Sequence, residues 1–121
     1  MMFLFWFSAV FSQPGLSYEE ELEDRMLASI APFVLEGNDR MVNKHVQAFE
    51  KDLFPSARIH YEIALQYNTN NQLSEALKHY NRALEIDPAY QQALYDRAEL
   101  LIVNQQPDAA LTDLQSLVET G

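Results

Sequence analysis

The sequence predicts an all-α fold in which antiparallel helical hairpins stack as a short α-solenoid. Three observations lead there. Apolar residues recur at helical spacing from Leu22 onward, and no alternating strand pattern interrupts them. Turn signals at Gly37-Asn38-Asp39, Phe54-Pro55-Ser56, Asn68 to Gln72, Asp87-Pro88 and Asn104 to Asp108 divide the chain into pieces of helical length. The chain also resembles itself when shifted by 34 residues.

Residues 1–16 stand apart. Met1 to Phe11 hold ten apolar residues and one serine, with no charge. That is short of the roughly 20 apolar residues a membrane-crossing helix needs. The stretch resembles the apolar core of a secretory signal, and Val10-Phe11-Ser12 would allow cleavage before Gln13. No Lys or Arg precedes it, so a buried or interfacial segment and a misplaced start codon are the alternatives. The segment predicts an exported (periplasmic or secreted) or membrane-associated protein, with any membrane contact through these residues alone. Cytoplasmic residence is the other reading.

Residues 17–55 read as a degenerate helical hairpin. Ser17 and Glu20 have capping-box spacing. The acidic run Glu19, Glu20, Glu21, Glu23, Asp24 suits the positive end of the helix dipole, and its plain reading is a solvated face. Leu22, Met26, Leu27 and Ile30 form the apolar stripe. A second helix from Asp39 to Leu53 carries Val42, Val46, Phe49 and Leu53. Four helices follow. Ala57 to Tyr67 carries Ile59, Ile63, Ala64 and Tyr67, and Leu73 to Ile86 carries Ala76, Leu77, Tyr80, Ala83 and Leu84. Pro88 stops that helix because it disfavours helical backbone at Asp87. Tyr90 to Val103 carries Leu94, Ala98, Leu101 and Ile102. Asp108 to Glu119 carries Leu111, Leu114, Leu117 and Val118, with Pro107 at its start, where a missing N–H does no harm.

In the 34-residue shift Tyr61 meets Tyr95, Ala64 meets Ala98, Asn70 meets Asn104, Gln72 meets Gln106, Ala76 meets Ala110, Leu77 meets Leu111 and Glu85 meets Glu119. These identities fall on the apolar stripe and the turn, where a repeated hairpin needs them. The pattern His60-x2-Ile63-Ala64-x2-Tyr67, then Ala76-x3-Tyr80, then Ala83 and Pro88, resembles the tetratricopeptide repeat, with His60 in the usual tryptophan slot. Residues 57–90 form the first unit and residues 91–121 a second that ends without a capping helix. The second departs from the pattern: Arg97 occupies an apolar slot and Leu117 the slot of Ala83. The resemblance implies a right-handed solenoid. Small residues give the physical reason, since two helices approach closely only where a hole faces a knob. Ala64, Ala76 and Ala98 are the holes; Tyr67, Tyr80 and Leu101 are the knobs.

Composition narrows function. The net charge is −10 with no basic patch, so DNA, RNA and anionic membrane surfaces start at an electrostatic penalty. Absent cysteine excludes disulfides, thiolate metal sites and Cys nucleophiles. His45, His60 and His79 show no ligand pattern, His79 is expected to be solvated, and no nucleotide, metalloprotease or nucleophile-elbow motif occurs. The sequence therefore predicts no catalytic residue, no cofactor and no metal.

What remains is a non-enzymatic protein–protein interaction module. The resemblance implies that the first helix of each hairpin lines a concave groove for a peptide or partner helix. On this chain that places Arg58, Tyr61, Leu65 and Asn68, then Gln92, Tyr95, Glu99 and Ile102, on the groove. Tyr61 and Tyr95 offer contact area with a polar tip, or else pack between hairpins. Some relatives hold acidic chaperone tails in a Lys/Asn/Arg carboxylate clamp. Here Tyr61, Leu65, Asp96 and Glu99 stand in its place, so a basic or neutral protein segment is the expected partner. A solenoid wants about three repeats and a polar cap. Leu114, Leu117 and Val118 therefore predict a homodimer through the last helix, a downstream region, or a covering partner. The alternative function is the N-terminal helical arm of a larger repeat-containing enzyme or envelope assembly factor.

Overall fold

Six helices fill residues 17–120, the part of the chain this computed structural model describes, and no strand occurs among the described residues. They are α1 (Tyr18–Glu36), α2 (Asp39–Asp52), α3 (Ala57–Thr69), α4 (Leu73–Ile86), α5 (Gln91–Val103) and α6 (Pro107–Thr120). The N-terminal segment, with the export and membrane readings attached to it, lies outside the described residues. None of the described helices is long and apolar enough to cross a membrane. The chain divides into two compact units at Phe54/Pro55.

The first unit pairs α1 with α2. The capping box forms as spaced: the Ser17 N–H donates to Glu20 Oε2 at 2.8 Å, and the Glu20 N–H donates to Ser17 Oγ at 3.1 Å. Pro32 lies inside α1, yet the helix runs on to Glu36. Gly37 then ends it at φ 69°, a left-handed conformation that lets the Asn38 N–H reach Phe33 O at 2.8 Å. Ile30, Val34 and Val42 are completely buried, with Val46 and Phe49 nearly so. Two expectations need correction. Glu23 and Asp24 are buried, so the acidic run is solvated only in its first turn, at Glu19 and Glu20. Leu53 falls after the end of α2 and is half exposed rather than part of the stripe.

The second unit is two hairpins, α3/α4 and α5/α6, with α4 packed on α5. The sequence repeat is also a backbone repeat. Asn71 and Gln105, 34 positions apart, both take left-handed conformations at φ 61° and φ 60°. The next N–H reaches back in each case, Gln72 to Tyr67 O at 2.9 Å and Gln106 to Leu101 O at 2.7 Å. This is the six-to-one closure of a helix C-terminus, made twice with the same register. Between hairpins Asp87 is extended, as its following proline requires, and its Oδ1 accepts from the Ala89 N–H at 3.1 Å.

The small residues sit where the hairpins close. Ala64, Ala76 and Ala83 have no exposed surface, nor do Tyr67 and Tyr80. In the second hairpin Ala98, Ala110 and Leu101 form a buried cluster, and Leu77 of α4 packs against it. Leu77 thus joins one hairpin to the next. Leu111, Leu114 and Val118 of α6 are exposed.

Candidate functional site

The repeat slots that differ between hairpins carry buried polar groups. His79 of α4 and Asp113 of α6 occupy the same slot, 34 positions apart, and both are buried. Each finds a partner on the first helix of its own hairpin. His60 Nδ1 lies 3.1 Å from His79 Nδ1, a hydrogen bond that requires one of the two nitrogens to carry the proton and the other to lack it. Their rings stack at 5.3 Å, and the Tyr67 ring stacks on His79 at 5.7 Å. His79 is therefore not the solvated residue its helix position suggests. The helical period places it toward α3, where His60 lies within hydrogen-bond distance. In the second hairpin Asp113 takes two hydrogen bonds from Arg97, Nε at 2.8 Å and Nη2 at 2.5 Å, while Arg97 Nη1 donates to Asn81 of α4 at 2.9 Å. Arg97 in an apolar slot is thus a built feature rather than a packing defect.

The candidate groove residues separate into two groups. On α5, Gln92, Tyr95, Glu99 and Ile102 are all exposed, as is Leu65 on α3. Arg58, Tyr61 and Asn68 of α3 are half-buried. The two tyrosines, equivalent by repeat, do different things. Tyr95 is exposed. Tyr61 packs against Tyr80 and Tyr90, and its hydroxyl donates to Asp96 Oδ2 on α5 at 2.7 Å. It bridges the first helices of successive hairpins, so the packing reading describes Tyr61 and leaves Tyr95 on the surface. Tyr95 would need an acceptor on a further first helix to repeat the bridge.

Electrostatics sharpen this. Burial, then the hydrogen bond and charge of Asp96, hold the Tyr61 phenol protonated far above the ordinary tyrosine range. The Tyr80 phenol is pushed up to about 12, chiefly by burial. A hydrogen bond from Asn68 Nδ2 at 3.4 Å opposes the rise, and the charges of Asp96, Glu99 and Glu62 add to it. Both folded values exceed the unfolded value of about 10, so the stability they lend is full below pH 10 and is lost as pH rises through the folded values. Urea midpoints followed by circular dichroism should fall between pH 10 and pH 12. A Tyr61→Phe/Tyr80→Phe double variant should fall less steeply over that interval, and an equal slope would remove this assignment.

Among the described residues no group of three or more His, Cys, Asp or Glu could hold a metal ion. Among the described residues every buried polar side-chain atom has a partner, so none is left aimed at a missing ligand. What the second unit offers outward is a mixed apolar and acidic surface. The structure adds Leu73, Leu100 and Val103, which line a cleft together with Asn68, Glu99 and Ile102. Sequence reasoning missed these three because they sit at helix ends, off the groove-facing register.

Comparison with known proteins agrees with the geometry. The tetratricopeptide repeat family matches residues 57–90 and, through a second description of the same repeat, residues 79–112. A probable biofilm formation methyltransferase, WspC, from Pseudomonas putida strain KT2440 is 30% identical over 94 residues, which is 76% of this chain. The matched stretch spans 22% of that relative's length. Tetratricopeptide repeats generally serve as scaffolds for protein interaction. With two overlapping repeat matches and a 34-residue period written in both side chains and backbone, residues 57–112 of this chain belong to the tetratricopeptide repeat family.

Proposed function

We propose that the chain is a non-enzymatic interaction module that presents the α3/α5 face to a peptide or partner helix of basic or neutral character. The observation that carries this reading is the row of exposed side chains along α5. Tyr95, Glu99 and Ile102 recur at helical spacing on one side, with Leu65 exposed on α3. Large apolar side chains in water, spaced on one face and mixed with carboxylates, suit recognition better than folding. The test is retention of partners from the native source by the wild type beside a Tyr95→Ala/Ile102→Ala variant. Retention should drop at least about tenfold, equivalent to about 1.4 kcal/mol of binding. Equal retention by both proteins would overturn the reading.

A second reading is favoured by one finding. Because the chain matches a fraction of a methyltransferase, its hairpins could serve as the helical arm of a larger enzyme. Export or membrane association through residues 1–16 is proposed on their apolar composition. Intact mass of the protein isolated from its native source reads both. A larger product supports the arm, and loss of residues 1–12 supports export.

A further inference from the structure

The ends of α3 and α5 and the start of α4 enclose a cleft of about 440 Å³, within the range of clefts that take ligands. Its lining is Leu73, Leu100, Ile102 and Val103, with Asn68 and Glu99 as the polar members. Ile102 and Val103 are 55% and 72% exposed, so the apolar part of the cleft faces water. Charge near it is one-sided. Glu62, Asp96 and Glu99 all act on the Tyr80 hydroxyl, which accepts from Asn68 of the cleft. Arg97 of α5 is turned away, to Asp113 and Asn81.

We infer that this cleft receives one apolar side chain of a partner protein, with a lysine or arginine of the partner about one helical turn away meeting Glu99. The inference rests on the reading of the α3/α5 face as the docking surface and names what one part of it selects. Burying a Leu-sized side chain supplies about 1.5–3 kcal/mol. The carboxylate sets the sign of the neighbouring charge, speeds encounter with a cationic segment and disfavours an acidic one. A small molecule would find only Asn68 and Glu99 to orient it, whereas an extended partner can use Tyr95 and Leu65 as well.

The experiment pans the full chain against a phage-displayed library of random 12-residue peptides. Fluorescein-labelled copies of the enriched peptides are then titrated by fluorescence polarisation. Enriched peptides should carry Leu, Ile, Met or Phe three or four positions from Lys or Arg. Val103→Asp should weaken them at least tenfold and Glu99→Arg at least fivefold. Both sites are exposed, so circular dichroism should show both variants folded. Enrichment of acidic peptides, or unchanged affinity in both variants, would overturn the cleft assignment. If Tyr95→Ala alone abolishes binding, the docking face stands and the cleft falls. If no peptide is enriched, both fall.

Discussion

Tyr80→Ala is expected to lower the unfolding free energy by about 4 kcal/mol, within the range for removing a buried aromatic side chain. Tyr80 has no exposed surface, and its neighbours Ala76 and Ala83 on α4 are equally buried. Those alanines have no length with which to fill the space an aromatic ring leaves, so the cavity term should persist. A chain of this size has modest stability to begin with, and a loss of this order leaves the fold marginal. Urea unfolding at pH 7, followed at 222 nm, reads it directly. Tyr80→Phe separates ring from hydroxyl: the phenol only accepts a long hydrogen bond from Asn68 at 3.4 Å, so that variant should lose about 1 kcal/mol or less. A Tyr80→Ala variant as stable as wild type would mean that the hairpin closes without its knob.

Arg97→Ala should cost about 3 kcal/mol, at the low end for breaking a buried pair, because the arginine side chain is 22% exposed while Asp113 is only 4% exposed. The loss comes from what is left behind. Without Arg97, Asp113 keeps its burial and loses both of its hydrogen bonds from the guanidinium. The control is Arg97→Met/Asp113→Leu, which removes both charges and should lie within about 1 kcal/mol of wild type or above it. If the single and double variants are equally destabilised, the pair contributes by shape and not by charge.

Both predictions fall in repeat slots, and the slots show how much the sequence discloses. Helix positions follow from apolar period, caps and breakers, which act over a few residues. Ser17 with Glu20, Gly37, Pro88 and Pro107 all punctuate as their local chemistry dictates. The hairpins follow from alanines at positions where another helix must come close, and Ala64, Ala76 and Ala98 are buried accordingly. The candidate groove was legible as a list of positions, since repeat register assigns a helix face.

Partnership was not legible. His79 resembles a solvated helix residue until His60, 19 positions earlier, is set against it. Arg97 resembles a misfit until Asp113 and Asn81 converge on it from two different helices. Tyr61 and Tyr95 are identical in repeat position, yet Tyr61 has Asp96 on the following first helix to accept its hydrogen bond.

The sequence by itself determined that this protein is helical, that its second half is two tetratricopeptide hairpins, and which faces of α3 and α4 are buried. Those properties depend on periodicity and on the sizes of side chains, both of which are written along the chain. Tertiary structure alone decided which polar residues are buried in pairs, which of two equivalent tyrosines bridges the hairpins, and where α3, α4 and α5 leave a cleft. These depend on distances between atoms on different helices. A hydrogen bond or cleft exists only when two surfaces have met, and a few tenths of an ångström in that meeting separate a partner from a neighbour.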